Sequence, residues 1–162
     1  MRRTAPHGRT MNRLKEIKLL KEQAERLQLE NHEIIRKYNM RELCSIYNGI
    51  GPDSFPGWLR GFISALHPSL AVAAFIHDIE WHESDRSKEK FKESNARFKR
   101  NGFAAVKDRF GWWNPMRYIV MSQARRFGIL CQFFGWKAWC AAGEAKENRH
   151  SGKHESFISI NI

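Results

Sequence analysis

Between Arg13 and Arg41, the residues Ile17, Leu20, Ala24, Leu27, Asn31, Ile34 and Tyr38 recur at alternating three- and four-residue steps, with Lys, Glu and Arg between them. That spacing predicts an N-terminal helix over residues 13–41 with a heptad-like seam. An asparagine inside a seam can fix the register of a parallel dimer, so the pattern admits a homodimer through residues 17–38. Leu19, Leu29 and Ile35 lie off the seam and widen the apolar face, which equally suits an amphipathic helix docked on its own domain.

Farther along, LAVAAFIHDIEW (residues 70–81) is a long, alanine-rich apolar run of helical character carrying His77 and Asp78. Residues 83–107 are dense in charge and read as a solvated helix face. Inside them Phe91, Asn95 and Phe98 fall at helical spacing, so Asn95 can look toward the His77 helix from an apolar stripe. Gly102 after Asn101 reads as a helix stop. The segment 110–142 holds a turn at Asn114-Pro115 and then one or two helices rich in large apolar residues, which predicts burial over much of their circumference. Residues 1–12 are basic and turn-rich, as in a flexible tail. Residues 143–162 form a polar tail in which His150 and His154 lack a third metal ligand, ending in FISINI, a short apolar alternation that suits either an added strand or a disordered end. The expected organisation is therefore a basic tail (1–12), an N-terminal helix (13–41), a mostly α domain (42–142) with C-terminal aromatic helices, and a polar tail (143–162).

Composition adds limits. A chain of 162 residues that is 42% hydrophobic and 12% aromatic can fill the core of a single domain. A net charge of +11 favours an anionic partner, either lipid headgroups or nucleic acid. Three cysteines, Cys44, Cys131 and Cys140, cannot build a disulfide framework. Neither a secretory signal nor a run of roughly 20 apolar residues is present, which predicts a soluble or membrane-peripheral protein.

Candidate chemistry centres on Tyr47–Gly51 (YNGIG) and His77–Trp81 (HDIEW). Glycines let a loop turn successive carbonyls inward, and calcium prefers hard oxygen ligands from carbonyls and carboxylates. A neutral histidine is suited to taking a proton from water. Adjacent helix positions point about 100° apart, so Asp78 can face such a loop while His77 faces a substrate.

YNGIG resembles the YxGxG calcium loop of the phospholipase A2 superfamily, and HDIEW resembles its HDxxY helix, with Trp81 in place of tyrosine. The pattern is closer to the disulfide-poor versions of phage, bacterial and parvovirus proteins than to the secreted ones, and it spans residues 43–103. The resemblance implies a helical phospholipase A2-like core. It puts the carbonyls of Tyr47, Gly49 and Gly51 and the carboxylate of Asp78 on calcium, His77 in the role of general base, and the Gly49 amide as an oxyanion donor. It also implies an anionic phospholipid surface as partner and leaves a virion-associated location open. Trp58, Trp81, Trp136 and Trp139 are the candidate substrate or interface residues, with Arg125, Arg126 and Lys137 near the last two.

The chain departs from the family pattern in three ways. Where the family places an aspartate to orient the histidine, the matching register here offers Asn95, which cannot stabilise imidazolium by charge; the same exchange in a serine-protease triad costs about 10⁴ in turnover. The stretch PDSFPGWLRGFISALHPSL is a longer connection, read as an inserted lid or short helix with Trp58, Leu59, Phe62 and Ile63 as apolar anchors. Trp81 lacks a phenolic oxygen. Asp85 and Asp108 are spare carboxylates that could replace the aspartate, though neither has the expected register. No GxSxG, GxxxxGK[ST], HExxH or paired CxxC occurs. The alternative reading is a catalytically inactive basic structural or nucleic-acid-associated protein that retains the fold.

Overall fold

The computed structural model describes residues 7–47 and 67–158, with side chains over 11–47 and 67–149; Gly49, Gly51, Trp58 and most of the expected lid lie outside the described residues. Among the described residues every regular element is helical. In chain order these are α1 (His7–Arg26), a 3-10 helix (His32–Lys37), α2 (Met40–Ile46), a 3-10 turn (Pro68–Leu70), α3 (Ala71–His82), α4 (Lys88–Arg109), α5 (Pro115–Phe134) and α6 (Trp136–Ile158).

The N-terminal helix is shorter at its C-terminal end than its periodicity predicts. Gln28 (φ 48°) and Asn31 (φ 61°) adopt left-handed backbone and break it. The Asn31 side chain does not sit in a dimer seam; its Nδ2 donates to Glu80 Oε1 at 2.6 Å. Asn39 then starts α2 with a capping box: its Oδ1 accepts from the amides of Arg41 and Glu42, and the Glu42 carboxylate accepts from the Asn39 amide. Ile17, Leu20 and Ala24 pack with Ile34, Ile35 and Leu43 against Val72, Phe75, Ile76 and Ile79 of α3. Ile17, Leu20, Ala24 and Ile34 of the seam are thus buried within one chain, as expected of a helix docked on its own domain.

α3 is buried on two sides, which is why its sequence is apolar almost all round. Its second face, with Ala73 and Trp81, joins Phe91, Phe98 and Val106 of α4, Val120, Ala124, Phe127 and Cys131 of α5, and Trp139 of α6. α4 runs through Gly102, contrary to the expected stop. A Cβ there would stand 3.1 Å from Leu70 Cδ2 and 3.2 Å from the Ala124 Cβ, so the glycine serves the close approach of α4 to α5.

Two expected tails are also helix. Residues 7–12 belong to α1, and residues 143–158 extend α6, held by Lys146 Nζ on Glu83 Oε2 at 2.6 Å and by an Arg86–Glu147 pair. Phe157 and Ile158 therefore end a helix instead of opening a strand. α5 begins as expected, with Asn114 Oδ1 accepting from the Met116 amide and Pro115 in the first turn. It buries only the stripe Val120, Ala124, Phe127 and Cys131, and leaves Tyr118, Ile119, Ile129, Phe133 and Phe134 exposed. No helix among the described residues is long and apolar enough to cross a membrane.

Candidate functional site

His77 leaves α3 toward α4 and α5 and is only 4% exposed. Its imidazole is enclosed by the rings of Trp81, Phe98 and Phe127, with centroids at 5.0, 5.4 and 5.7 Å. Its Nε2 lies 3.0 Å from Asn95 Oδ1, so the periodic stripe on α4 delivers Asn95 to the histidine as its spacing predicts. Because Asn95 Oδ1 is an acceptor and its Nδ2 donates to Gln132 Oε1 at 3.3 Å, the hydrogen sits on His77 Nε2. Neutral imidazole then carries its lone pair on Nδ1. Desolvation holds the His77 pKa below its ordinary value, against the weaker opposing pull of the Asn95 hydrogen bond and the charge of Glu80.

Asp78, one residue on, faces the α1 and α2 side. It keeps part of its surface in solvent, yet desolvation dominates its carboxyl and lifts its pKa to about 7, with Arg13 pulling the other way. The same carboxylate acts on Tyr47, whose phenol is pushed up to about 12, first by burial and then by Asp78. Tyr47 ends α2, its amide bonded to Leu43 O at 2.9 Å, and the Arg13 guanidinium lies 5.7 Å from the centre of its ring. The Asp78 carboxylate and the Tyr47 phenol thus feel each other's charge, and the histidine and carboxylate diverge from one helix.

A carboxylate whose charge is penalised by burial is a group that a nearby cation would favour, and its oxygens are of the hard type that calcium takes. Among the described residues no three His, Cys, Asp or Glu side chains cluster as a metal site, so side chains alone do not complete the donor set there.

Comparison of the chain with family models, curated proteins and solved structures finds no match.

The remaining candidates sort plainly. Trp81 and Trp139 are core residues, 6% and 2% exposed, and Trp136 packs its ring 5.3 Å from Phe91. Burial takes Trp81 and Trp139 out of a membrane-facing role; the exposed tryptophans are Trp112 and Trp113, in the turn before Asn114-Pro115. Asp108 is engaged by Arg26 through two hydrogen bonds of 3.0 and 2.7 Å, and Asp85 by Lys90 at 2.6 Å, so these carboxylates are committed away from His77. Cys131 is buried, and its thiol is pushed up by desolvation and then by the charge of Asp78, which leaves it unreactive. Sequence reading misses Arg13 and Gln132, because neither stands at a spacing that ties it to Asp78 or Asn95.

Proposed function

We propose that the chain is a phospholipase A2-like esterase that hydrolyses a phospholipid acyl ester, with calcium, at a membrane surface. The observation that carries this reading is the 3.0 Å bond between His77 Nε2 and Asn95 Oδ1, which fixes the tautomer and leaves Nδ1 as the proton acceptor. His77 Nδ1 takes a proton from the attacking water, while Asn95, itself held by Gln132, keeps the ring oriented. The aromatic enclosure keeps the imidazole neutral, so the base is ready at neutral pH. Asp78 and the Tyr47 carbonyl would hold calcium, whose part is to polarise the ester carbonyl and offset the developing negative charge. One carboxylate among neutral oxygens implies weak binding, in the millimolar class.

The test is fatty-acid release from mixed anionic vesicles, in millimolar calcium and in chelator, for wild type, His77→Ala and Asp78→Asn. Calcium-dependent release lost in both variants supports the reading; no release from folded wild type removes it. With its pKa held below 6.5, His77 keeps the base deprotonated in mild acid, so the acid limb of the pH–rate profile falls below pH 6.5. A limb centred above that value would contradict the enclosed, Asn95-oriented base.

A second reading, a catalytically silent basic protein that binds nucleic acid, is favoured by one feature: an amide, not a carboxylate, orients His77. Salt-sensitive DNA binding independent of calcium, with no lipid turnover, would establish it.

A further inference from the structure

α5 carries two apolar faces, and among the described residues only one has a partner. The buried stripe meets α3 and α4. On the opposite side Tyr118, Ile119, Ile129 and Phe133 are exposed, Phe133 by 77%, with Arg125 and Arg126 among them. Positions 119, 126 and 133 are seven apart, so this is one continuous outward face. It runs up to Trp112 and Trp113, 71% and 74% exposed, in the preceding turn. From Phe110 to Phe134 there is no acidic residue.

Beside this face, between α4 and α5, lies a pocket of about 440 Å³. Lys92 and Lys99 from α4 and Arg125 from α5 line it, Asn95 and Gln132 are its polar residues, and Ile129 and Phe133 are its apolar wall. None of the three cations enters an ion pair among the described residues, whereas Arg97 and Arg100, on the same helix, are paired with Glu30, Glu80 and Glu93.

We propose that this pocket binds the phosphate of an anionic phospholipid headgroup while the outward face of α5, with Trp112 and Trp113, sits in the lipid surface. Three unmatched cations supply the charge complement for a phosphate, and the adjoining aliphatic and aromatic side chains gain by leaving water for acyl chains. Exposed tryptophans suit the boundary between headgroup and hydrocarbon. A second copy of the chain does not fit, because it would set Arg125 and Arg126 against the same cations. Nucleic acid would use the cations and could stack on the exposed aromatic rings, but the aliphatic Ile119 and Ile129 among them gain only from an apolar phase. The inference deepens the esterase reading by naming the face that meets lipid, and it rests on that reading only for lipid as the partner. Asn95 belongs to both places, so headgroup binding would occur one side chain away from His77.

The experiment is vesicle co-sedimentation in chelator, so that binding is read apart from turnover, with phosphatidylglycerol–phosphatidylcholine and pure phosphatidylcholine vesicles. The proteins are wild type, the triple variant Lys92→Gln/Lys99→Gln/Arg125→Gln, the double variant Ile129→Ser/Phe133→Ser, and a control of equal charge change, Lys15→Gln/Lys18→Gln/Lys37→Gln. The expected result is binding to anionic vesicles that survives in the control, weakens on the order of 100-fold in the triple variant and weakens about tenfold in the double variant. All changed side chains of the triple and double variants are exposed, so circular dichroism should match wild type. Equal binding by wild type and the triple variant overturns the headgroup site, and equal binding by the double variant overturns insertion of the α5 face. Triple-variant-sensitive binding to duplex DNA by a wild type that ignores vesicles would assign the face to nucleic acid instead. Vesicle binding without fatty-acid release would leave this inference standing and remove the esterase reading alone.

Discussion

The two sides of α4 handle charge in opposite ways. Toward α1 and the 3-10 helix at residues 32–37, Arg97 meets Glu80, Glu93 and Glu30, Arg100 holds Glu30 through two bonds of 2.7 Å, and Arg26 of α1 holds Asp108. Asn101 extends this side by bonding the main chain at Glu30 through both ends of its amide. Toward α5, Lys92 and Lys99 stand beside Arg125 with no carboxylate answering them among the described residues. A charge matched within the chain helps to hold the fold, whereas a cluster of unmatched like charges costs a little stability and is suited to a partner from outside.

The sharpest way to break this contrast is at Arg97. Glu80 is 6% exposed, and removing its cation leaves a buried carboxylate with only Asn31 to answer it among the described residues. Arg97→Ala should lower stability by about 3 kcal/mol in urea denaturation. A loss under about 1 kcal/mol, the range of exposed ion pairs, would mean that the matched side is no more structural than a solvated surface.

A middle-sized effect is expected at Asp78, where desolvation outweighs the pull of Arg13. Its folded pKa of about 7 lies above the ordinary 3.8, so between those values the folded chain keeps a proton that the unfolded chain has released. The contribution of this group to stability is thus complete below about pH 4 and declines as pH rises toward 7. Asp78→Asn abolishes the decline. In chelator its Tm should exceed that of wild type at pH 8 by on the order of 5 °C, with the two converging near pH 4. Millimolar calcium should narrow the gap at pH 8 by raising wild type alone, and a gap indifferent to calcium would count against Asp78 as a ligand.

How much of this is legible in sequence depends on whether local pattern and tertiary packing agree. Asn95 lies on a periodic stripe with Phe91 and Phe98, and His77 lies in an apolar run that forms the helix expected of it, so their meeting can be read from the sequence. The break after Arg26 cannot, because Gln28 and Asn31 take left-handed backbone without any glycine or proline to announce it. Gly102 misleads for the opposite reason: its local signal is a stop, and the close approach of Ala124 and Leu70 decides otherwise. Residues 83–107 read as one uniform charged face. Only the placement of Glu30 and Glu80 on one side of α4 divides their cations into matched and unmatched sets.

The smallest effect tests that division directly. Lys92→Gln/Lys99→Gln removes two cations that make no ion pair and stand near Arg125, so stability should change by less than about 0.5 kcal/mol. Its sign is informative. Relief of like-charge repulsion predicts a slight gain, and screening predicts that the gain shrinks as salt rises above physiological strength. A loss of the size expected for Arg97→Ala would show that these lysines also hold the fold, and the argument for an outside anion would lose its premise. A slight, salt-sensitive gain means that the chain carries this charge at a cost to itself, which is the physical mark of a surface kept for something else.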